Sequence, residues 1–357
     1  MTIIGVPKET KAGEHRVGLT PAAAGELVRR GHSVVIEKGA GVGSGFNDDE
    51  YALRGATLVT ADDAWTECDV VVKVKEPISP EYRFLSSRTA VFSYLHLAAE
   101  PALTGALLEA GTTALAYETV LSATGTLPLL APMSAIAGRV CVQAAATLLY
   151  AQAGGSGVLL APVGGVARGR VVVIGGGVVG ANAAAAAAGL GARVTVFDAS
   201  VERLLVLQQT LAANVTLEAA LEERIHSEVT TADVVVGAVL IPGAKASHVV
   251  SEDTVREMRP GSVICDVAID QGGCVETSRP TTHDCPSYQF AGVTHYAVTN
   301  MPAAVPRTST QALVNATLPF VRLLADEGID NAVHDDRFNG ALNVRGGQII
   351  HPAVQSA

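Results

Sequence analysis

Val171-Val172-Val173-Ile174 runs straight into Gly175-Gly176-Gly177-Val178-Val179-Gly180 and then into an alanine-rich segment. This supplies a strand, a G-x-G-x-x-G turn and a helix in the order that brings backbone to a pyrophosphate. In such a pattern Gly175 permits the tight turn, Gly177 lets the backbone approach the phosphates, and Gly180 allows close packing of helix on strand. The helix N-terminus then faces the phosphates. In a chain with 36 glycines the turn alone says little. Asp198 strengthens it: it closes the next strand, 18 positions after Gly180, against about 20 for the carboxylate that accepts hydrogen bonds from an adenosine ribose. A carboxylate there also repels a 2′-phosphate, which favours NAD over NADP as the cofactor. The plainer alternative is a turn that serves packing only, with Asp198 capping a helix.

Four ionisable residues stand at the ends of apolar strands or in the first loop, where open α/β sheets present their ligand crevice. They are Arg16, Lys75, His96 and Asp270. Lys75 ends Val70-Val71-Val72-Lys73-Val74-Lys75 and is followed by Glu76-Pro77, so a strand should stop there. It also reads as a solvated edge charge. His96 ends Val91-Phe92-Ser93-Tyr94-Leu95 and reads equally as a core histidine bonded to backbone. Asp270, ahead of Gln271-Gly272-Gly273, has the alternative of an Asx turn. Arg16 in isolation says almost nothing. No metal site is expected, since His283 and Cys285 lack further ligands nearby.

The elements that must position these residues alternate strand and helix. The first third reads as strands at Thr2–Val6, Ser33–Glu37, Val70–Val74, Ala90–Leu95 and Thr113–Ala116, with helices near Pro21–Arg30 and Pro101–Ala110. A long apolar-periodic helix runs from Pro132 through Ile136, Val140 and Ala144 to Leu149, and the Gly-rich stretch from Gly154 to Gly169 ends it. Strands at Arg170–Ile174, Arg193–Phe197, Val234–Ala238 and Ser262–Val267 then predict a second parallel sheet. A last helix, Ser309 to Glu327, leads to a polar tail that returns to the first domain, because it cannot form a core of its own. The expected fold is α/β, with two Rossmann-like domains built on parallel sheets. An NAD-binding domain, 131–305, is inserted into a discontinuous substrate domain, 1–130 and 306–357.

Bulk properties narrow the function. Two domains suit 357 residues, and 48% hydrophobic with 4% aromatic residues suits Val-rich strands and Ala-rich helices. A net charge of −10 without clustered Lys and Arg argues against nucleic acid and points to a small-molecule substrate. Five scattered cysteines, Cys68, Cys141, Cys265, Cys274 and Cys285, form neither a disulfide framework nor a C-x-x-C pair. That suits a reducing, cytoplasmic setting. The N-terminus carries no basic n-region or long apolar h-region, so no export signal is expected. The apolar stretch from Ala181 to Leu190 is better explained by a buried helix than by a membrane span.

Several stretches resemble the alanine dehydrogenase family. They include Glu14-His15-Arg16-Val17, Lys73-Val74-Lys75-Glu76-Pro77, Leu95-His96-Leu97-Ala98-Ala99, Pro132-Met133-Ser134 and Gly237-Ala238-Val239-Leu240-Ile241-Pro242-Gly243-Ala244-Lys245-Ala246. Asp266-Val267-Ala268-Ile269-Asp270-Gln271-Gly272-Gly273 and Asn300-Met301-Pro302-Ala303-Ala304-Val305-Pro306-Arg307-Thr308-Ser309-Thr310 complete the set, which covers nearly the whole chain in order. The resemblance implies that Arg16 and Lys75 bind the substrate carboxylate and keto oxygen, that His96 is the acid/base, and that Asp270 assists proton transfer. It further implies NAD contacts from Ser134, Gly175, Gly177, Val178, Val179, Gly180, Asp198, Arg203, Val239, Leu240, Ile269, Asp270, Asn300 and Met301. The implied reaction is reversible conversion of L-alanine to pyruvate and ammonium by a homo-oligomer, hexameric in the family. Other readings are a saccharopine-type dehydrogenase, a subunit of the related proton-translocating transhydrogenase, and a dinucleotide sensor without turnover.

Overall fold

The computed structural model describes residues 1–239 and 248–356. Its strands are β1 (Ile3–Val6), β2 (Ser33–Glu37), β3 (Thr57–Val59), β4 (Val70–Val72), β5 (Ala90–Ser93), β6 (Thr113–Ala116), β7 (Arg170–Ile174), β8 (Arg193–Asp198), β9 (Val215–Ala219), β10 (Val234–Gly237), β11 (Val263–Asp266), β12 (Ser287–Phe290), β13 (Val293–Tyr296), β14 (Leu342–Arg345) and β15 (Gln348–Ile349). They sort into two compact units, one of Met1–Met133 with Val305–Ala357 and one of Ser134–Ala304.

The first unit holds a sheet of order β15-β14-β6-β5-β4-β1-β2-β3. From β6 to β3 every pairing is parallel. Helices fill the crossovers, and their starts follow from local chemistry. In Pro21–Arg29 the Thr20 hydroxyl accepts from the Ala23 amide while Pro21 takes the first helical position, where its missing N–H costs nothing. The polar tail adds β14 antiparallel to β6 and β15 antiparallel to β14, so the expected all-parallel sheet is mixed at this edge. Too short and polar to stand alone, the tail finds its hydrogen bonds on an open strand edge.

The second unit holds a sheet of order β12-β13-β11-β10-β7-β8-β9, parallel except for the β12–β13 pair. Its central strands bury both faces. Val171 and Val173 pack into one hydrophobic cluster with Val194, Val196, Val234 and Val236, whereas Val172 and Ile174 pack into another with Phe197, Val235 and Ile264. Period-two alternation of side chains across a sheet covered on both sides accounts for the continuous Val/Ile runs. The chain runs β7, β8, β9 to one side and then returns with β10 on the other side of β7. The carboxyl ends of β7 and β10 are therefore the switch point where α/β sheets take ligands.

Among the described residues, no helix is long and apolar enough to cross a membrane.

Candidate active site

The cofactor residues are assembled by strand register. Ile174 pairs with Phe197 on one side and Gly237 on the other, and Gly237 pairs with Asp266. Asp198, the glycine turn, Ala238-Val239 and the segment after Asp266 thus leave adjacent strand ends in one row. The Asp198 carboxylate accepts from the Gly176 amide at 2.6 Å and the Ser200 amide at 2.8 Å. Arg203 donates through Nε to the Gly176 carbonyl at 2.5 Å. Asp198 and Arg203 therefore fix the turn from both its N–H and C=O sides, a task the spacing argument did not assign to them.

The turn is shaped to leave room for phosphate. Gly175 has φ 99°, and a Cβ there would lie 2.5 Å from the Ala238 carbonyl, so only glycine suits the position. A Cβ on Gly180 would sit 1.8 Å from the Gly175 carbonyl oxygen. On Gly177 the same addition meets nothing within 4 Å. Gly177 is the N-cap of the helix Val178–Gly189 and offers no side-chain cap to its first N–H groups. Open space over uncapped amides with a positive helix end is the environment a pyrophosphate requires, and these residues fit a nicotinamide dinucleotide.

Asp270 lies exposed in a 3-10 turn, Val267–Gln271, that follows β11. The carboxylate that caps this turn is that of Asp266. That fully buried carboxylate accepts from Ala268 at 3.2 Å, Cys274 at 3.0 Å and Val275 at 3.1 Å. Burial raises its pKa against these amide bonds. Gly272 and Gly273 adopt φ 96° and 78°, and a Cβ on Gly273 would lie 2.7 Å from Asp266 Oδ2. The loop thus closes around Asp266 and presents Asp270. Ile269 and Met301 are buried. Asn300 takes a left-handed conformation, φ 57°, and its carbonyl meets His283 Nε2 at 3.2 Å. Ser134 sits in the first turn of the helix Ala131–Leu148. Leu240 and the segment through Ala246 lie outside the described residues.

The substrate candidates Arg16, Lys75 and His96 all belong to the first unit. Arg16 is 2% exposed. Glu14 orients it, with Oε1 accepting from Nε at 2.6 Å and from the Arg16 amide at 3.1 Å, while Nη1 meets Met133 Sδ at 3.1 Å. Lys75 lies close enough to feel the guanidinium: burial pulls its ammonium below the ordinary lysine pKa, Glu76 opposes, and Arg16 and Lys11 add to the depression. Lys75 stands beyond the strand rather than at its end, because β4 stops at Val72. The Val74 amide is taken by Glu9 Oε1 at 2.6 Å instead of by a neighbouring strand.

His96 follows β5 in a left-handed conformation, φ 50°, with an exposed ring stacked 6.1 Å from Tyr94 at 8°. It is not a core histidine. Such backbone strain, of order 1–3 kcal/mol, persists only where the surroundings hold it. Glu118 does so, accepting from the His96 amide at 2.6 Å and the Leu95 amide at 3.2 Å, with His96 Nδ1 at 3.9 Å. Sequence reasoning missed Glu118, Glu14 and Asp266 as holders of these residues. Glu118 carried a usable signal, since it also follows the end of a buried strand, β6.

The alanine dehydrogenase/PNT family models match residues 5–137 with their N-terminal domain and 141–352 with their C-terminal domain. An alanine dehydrogenase of Halomonas elongata is 52% identical over 357 residues, covering 99% of this chain and 96% of its own length. That of Bacillus subtilis is 49% identical over 99% of this chain and 93% of its own. A solved L-alanine dehydrogenase superposes with a TM-score of 0.96 at 51% identity, covering 99% of this chain and 98% of that one. A transhydrogenase from Sinorhizobium meliloti gives 0.83 at 26% identity, with 98% and 99% covered. A dinucleotide turn on one unit, Arg16, Lys75 and the strained His96 on the other, and homology along the full length agree: the chain belongs to the alanine dehydrogenase family.

Proposed function

We propose that this chain catalyses the NAD-dependent oxidative deamination of L-alanine to pyruvate and ammonium, and the reverse reductive amination. The observation that carries the reading is the likeness to alanine dehydrogenases over 99% of the chain. Arg16, locked by Glu14, grips the substrate carboxylate, and Lys75 donates to the oxygen of the keto acid. When held at the glycine turn Gly175–Gly180, a nicotinamide dinucleotide would supply the acceptor for the hydride of the substrate α-carbon. His96 removes a proton from the water that adds to the resulting iminium and returns it to the departing amine. Asp270 assists proton transfer at the same carbon. Glu118 keeps the histidine backbone in place while its exposed ring turns. Asp198 selects NAD over NADP, and the remaining dinucleotide contacts come from Ser134, Gly175, Gly177, Val178, Val179, Gly180, Arg203, Val239, Leu240, Ile269, Asn300 and Met301. The units 1–130 with 306–357 and 131–305 serve substrate and cofactor respectively. The enzyme works in the cytoplasm as a homohexamer.

The test is a mixing experiment. NADH should be consumed with pyruvate only when ammonium is present, yielding L-alanine, and oxidation should accelerate as pH rises because the substrate amine must lose its proton. Lactate formed without ammonium would instead identify a hydroxyacid dehydrogenase, and activity confined to lysine with 2-oxoglutarate a saccharopine-type enzyme. Light scattering on the purified protein reads the oligomer.

A further inference from the structure

Lys73 is fully buried, 0% exposed, two residues before Lys75. Its ammonium lies 2.9 Å from Glu81 Oε1 and 3.2 Å from Glu9 Oε2, and 5.5 Å from the centre of the Trp65 ring. Each carboxylate has a second task. Glu9 Oε1 takes the Val74 amide at 2.6 Å, and Glu81 Oε2 takes the Ile78 amide at 2.9 Å. The three side chains therefore grip the backbone immediately before and shortly after Lys75. Among the described residues nothing hydrogen-bonds the Lys75 ammonium, so its place is set by the backbone that carries it.

Stability is a weak explanation for this cluster. A buried ion pair pays desolvation on both partners, and well-packed apolar replacements commonly do as well or better. Here two carboxylates share one ammonium. Burial raises the Glu9 carboxyl even against the Lys73 charge, while Lys73, pulled down by burial, is held above its ordinary value by Glu9 and Glu81. What the cluster does that apolar packing does not is accept two specific amide protons of an irregular segment. The Lys73 amide and the Val74 carbonyl are tied to the backbone of Phe92 and Tyr94, whereas the Val74 and Ile78 amides are met by these carboxylates.

We propose that the Glu9–Lys73–Glu81 cluster is a positioning device for Lys75, a clamp that holds residues 73–78 so that the Lys75 amine meets the substrate. The proposal rests on the substrate-binding role of Lys75. Misplacing a binding group by about 1 Å costs up to about 10²-fold in rate, and the effect must vanish when Lys75 itself is gone.

The experiment is a double-mutant cycle on the full-length enzyme, with a second readout independent of turnover. Glu9→Ala deletes the acceptor for the Val74 amide, whereas Glu9→Gln keeps it. Lys73→Met removes the tie but preserves the bulk over Trp65, and takes the place of Glu9→Ala should that variant not fold. Each is made with Lys75 present and with Lys75→Ala. The expected result for Glu9→Ala or Lys73→Met is a loss of about 10-fold or more in kcat/KM for pyruvate with Lys75 present. That loss should shrink below about 2-fold without Lys75, with NADH affinity unchanged and Glu9→Gln near wild type. Equal losses in both backgrounds, or none in either, overturn the proposal.

The second readout is the 13C signal of Lys75 after reductive methylation, identified by its absence in Lys75→Ala. It should move in Glu9→Ala and Lys73→Met and stay in place in Glu9→Gln. An unmoved signal overturns the clamp. A moved signal together with full activity of Lys75→Ala supports the clamp and overturns the substrate role of Lys75.

Discussion

Replacing Asp198 with alanine removes two backbone hydrogen bonds at once. The one to the Gly176 amide, at 2.6 Å and half buried, orders the turn that faces the phosphates. A hydrogen bond to a carboxylate in such a place contributes about 1.5–3 kcal/mol. At about 1.4 kcal/mol per tenfold, NADH affinity should fall roughly 10- to 150-fold. The exposed bond to Ser200 adds little. Asp198→Asn separates the two jobs of the side chain, because an amide oxygen still accepts from Gly176 while the charge facing a 2′-phosphate is gone. It should therefore lose much less NADH affinity than alanine does, yet relax discrimination against NADPH as far. Fluorescence titration with both reduced dinucleotides, beside thermal melting, measures all of this. NADH binding within 2-fold of wild type in Asp198→Ala would show that Asp198 does not order the turn for the cofactor, and unaltered NADPH discrimination in both variants would show that it does not read the ribose.

His96→Ala and Asp270→Asn should each lower turnover by about 10²-fold or more while NADH binding persists; near-normal turnover would remove either from the mechanism. Gly177→Ala should melt within about 1 kcal/mol of wild type, since its Cβ meets no protein atom, yet bind NADH weakly. Gly180→Ala, whose Cβ collides with the Gly175 carbonyl, should lose about 1–3 kcal/mol of stability as well, and equal melting of the two variants would contradict the assignment. Burial lowers the pKa of His295, with the Val293 carbonyl opposing. Above the ordinary value of 6.5 both folded and unfolded states are neutral. As pH falls below 6.5 the unfolded chain takes the proton first, so stability drops until the folded-state pKa is reached. Denaturant titrations from pH 8 to pH 5 should show this decline, smaller in His295→Gln.

The sequence by itself determined the local pieces of this protein. Apolar runs such as Val171–Ile174 and Val234–Gly237 specify buried parallel strands, because nothing else satisfies continuous Val and Ile between two covered faces. Gly175, Gly177 and Gly180 announce a phosphate turn because side chains are excluded there for separate reasons. Only the tertiary structure decided what holds the reactive groups. Glu118 is 22 positions from His96, Glu9 is 65 from Val74, and the tail strand Leu342–Arg345 pairs with Thr113–Ala116 across more than half the chain. A carboxylate's partner at such separation leaves no periodicity or spacing to read. Lys75 was expected at a strand end. It instead stands beyond one, where Glu9 accepts the Val74 amide, and Asp266, the last residue of β11, is also the centre of the loop that presents Asp270. Backbone propensity is local and written in neighbouring residues, whereas satisfaction of buried donors and acceptors is settled by whichever residues the fold brings within reach.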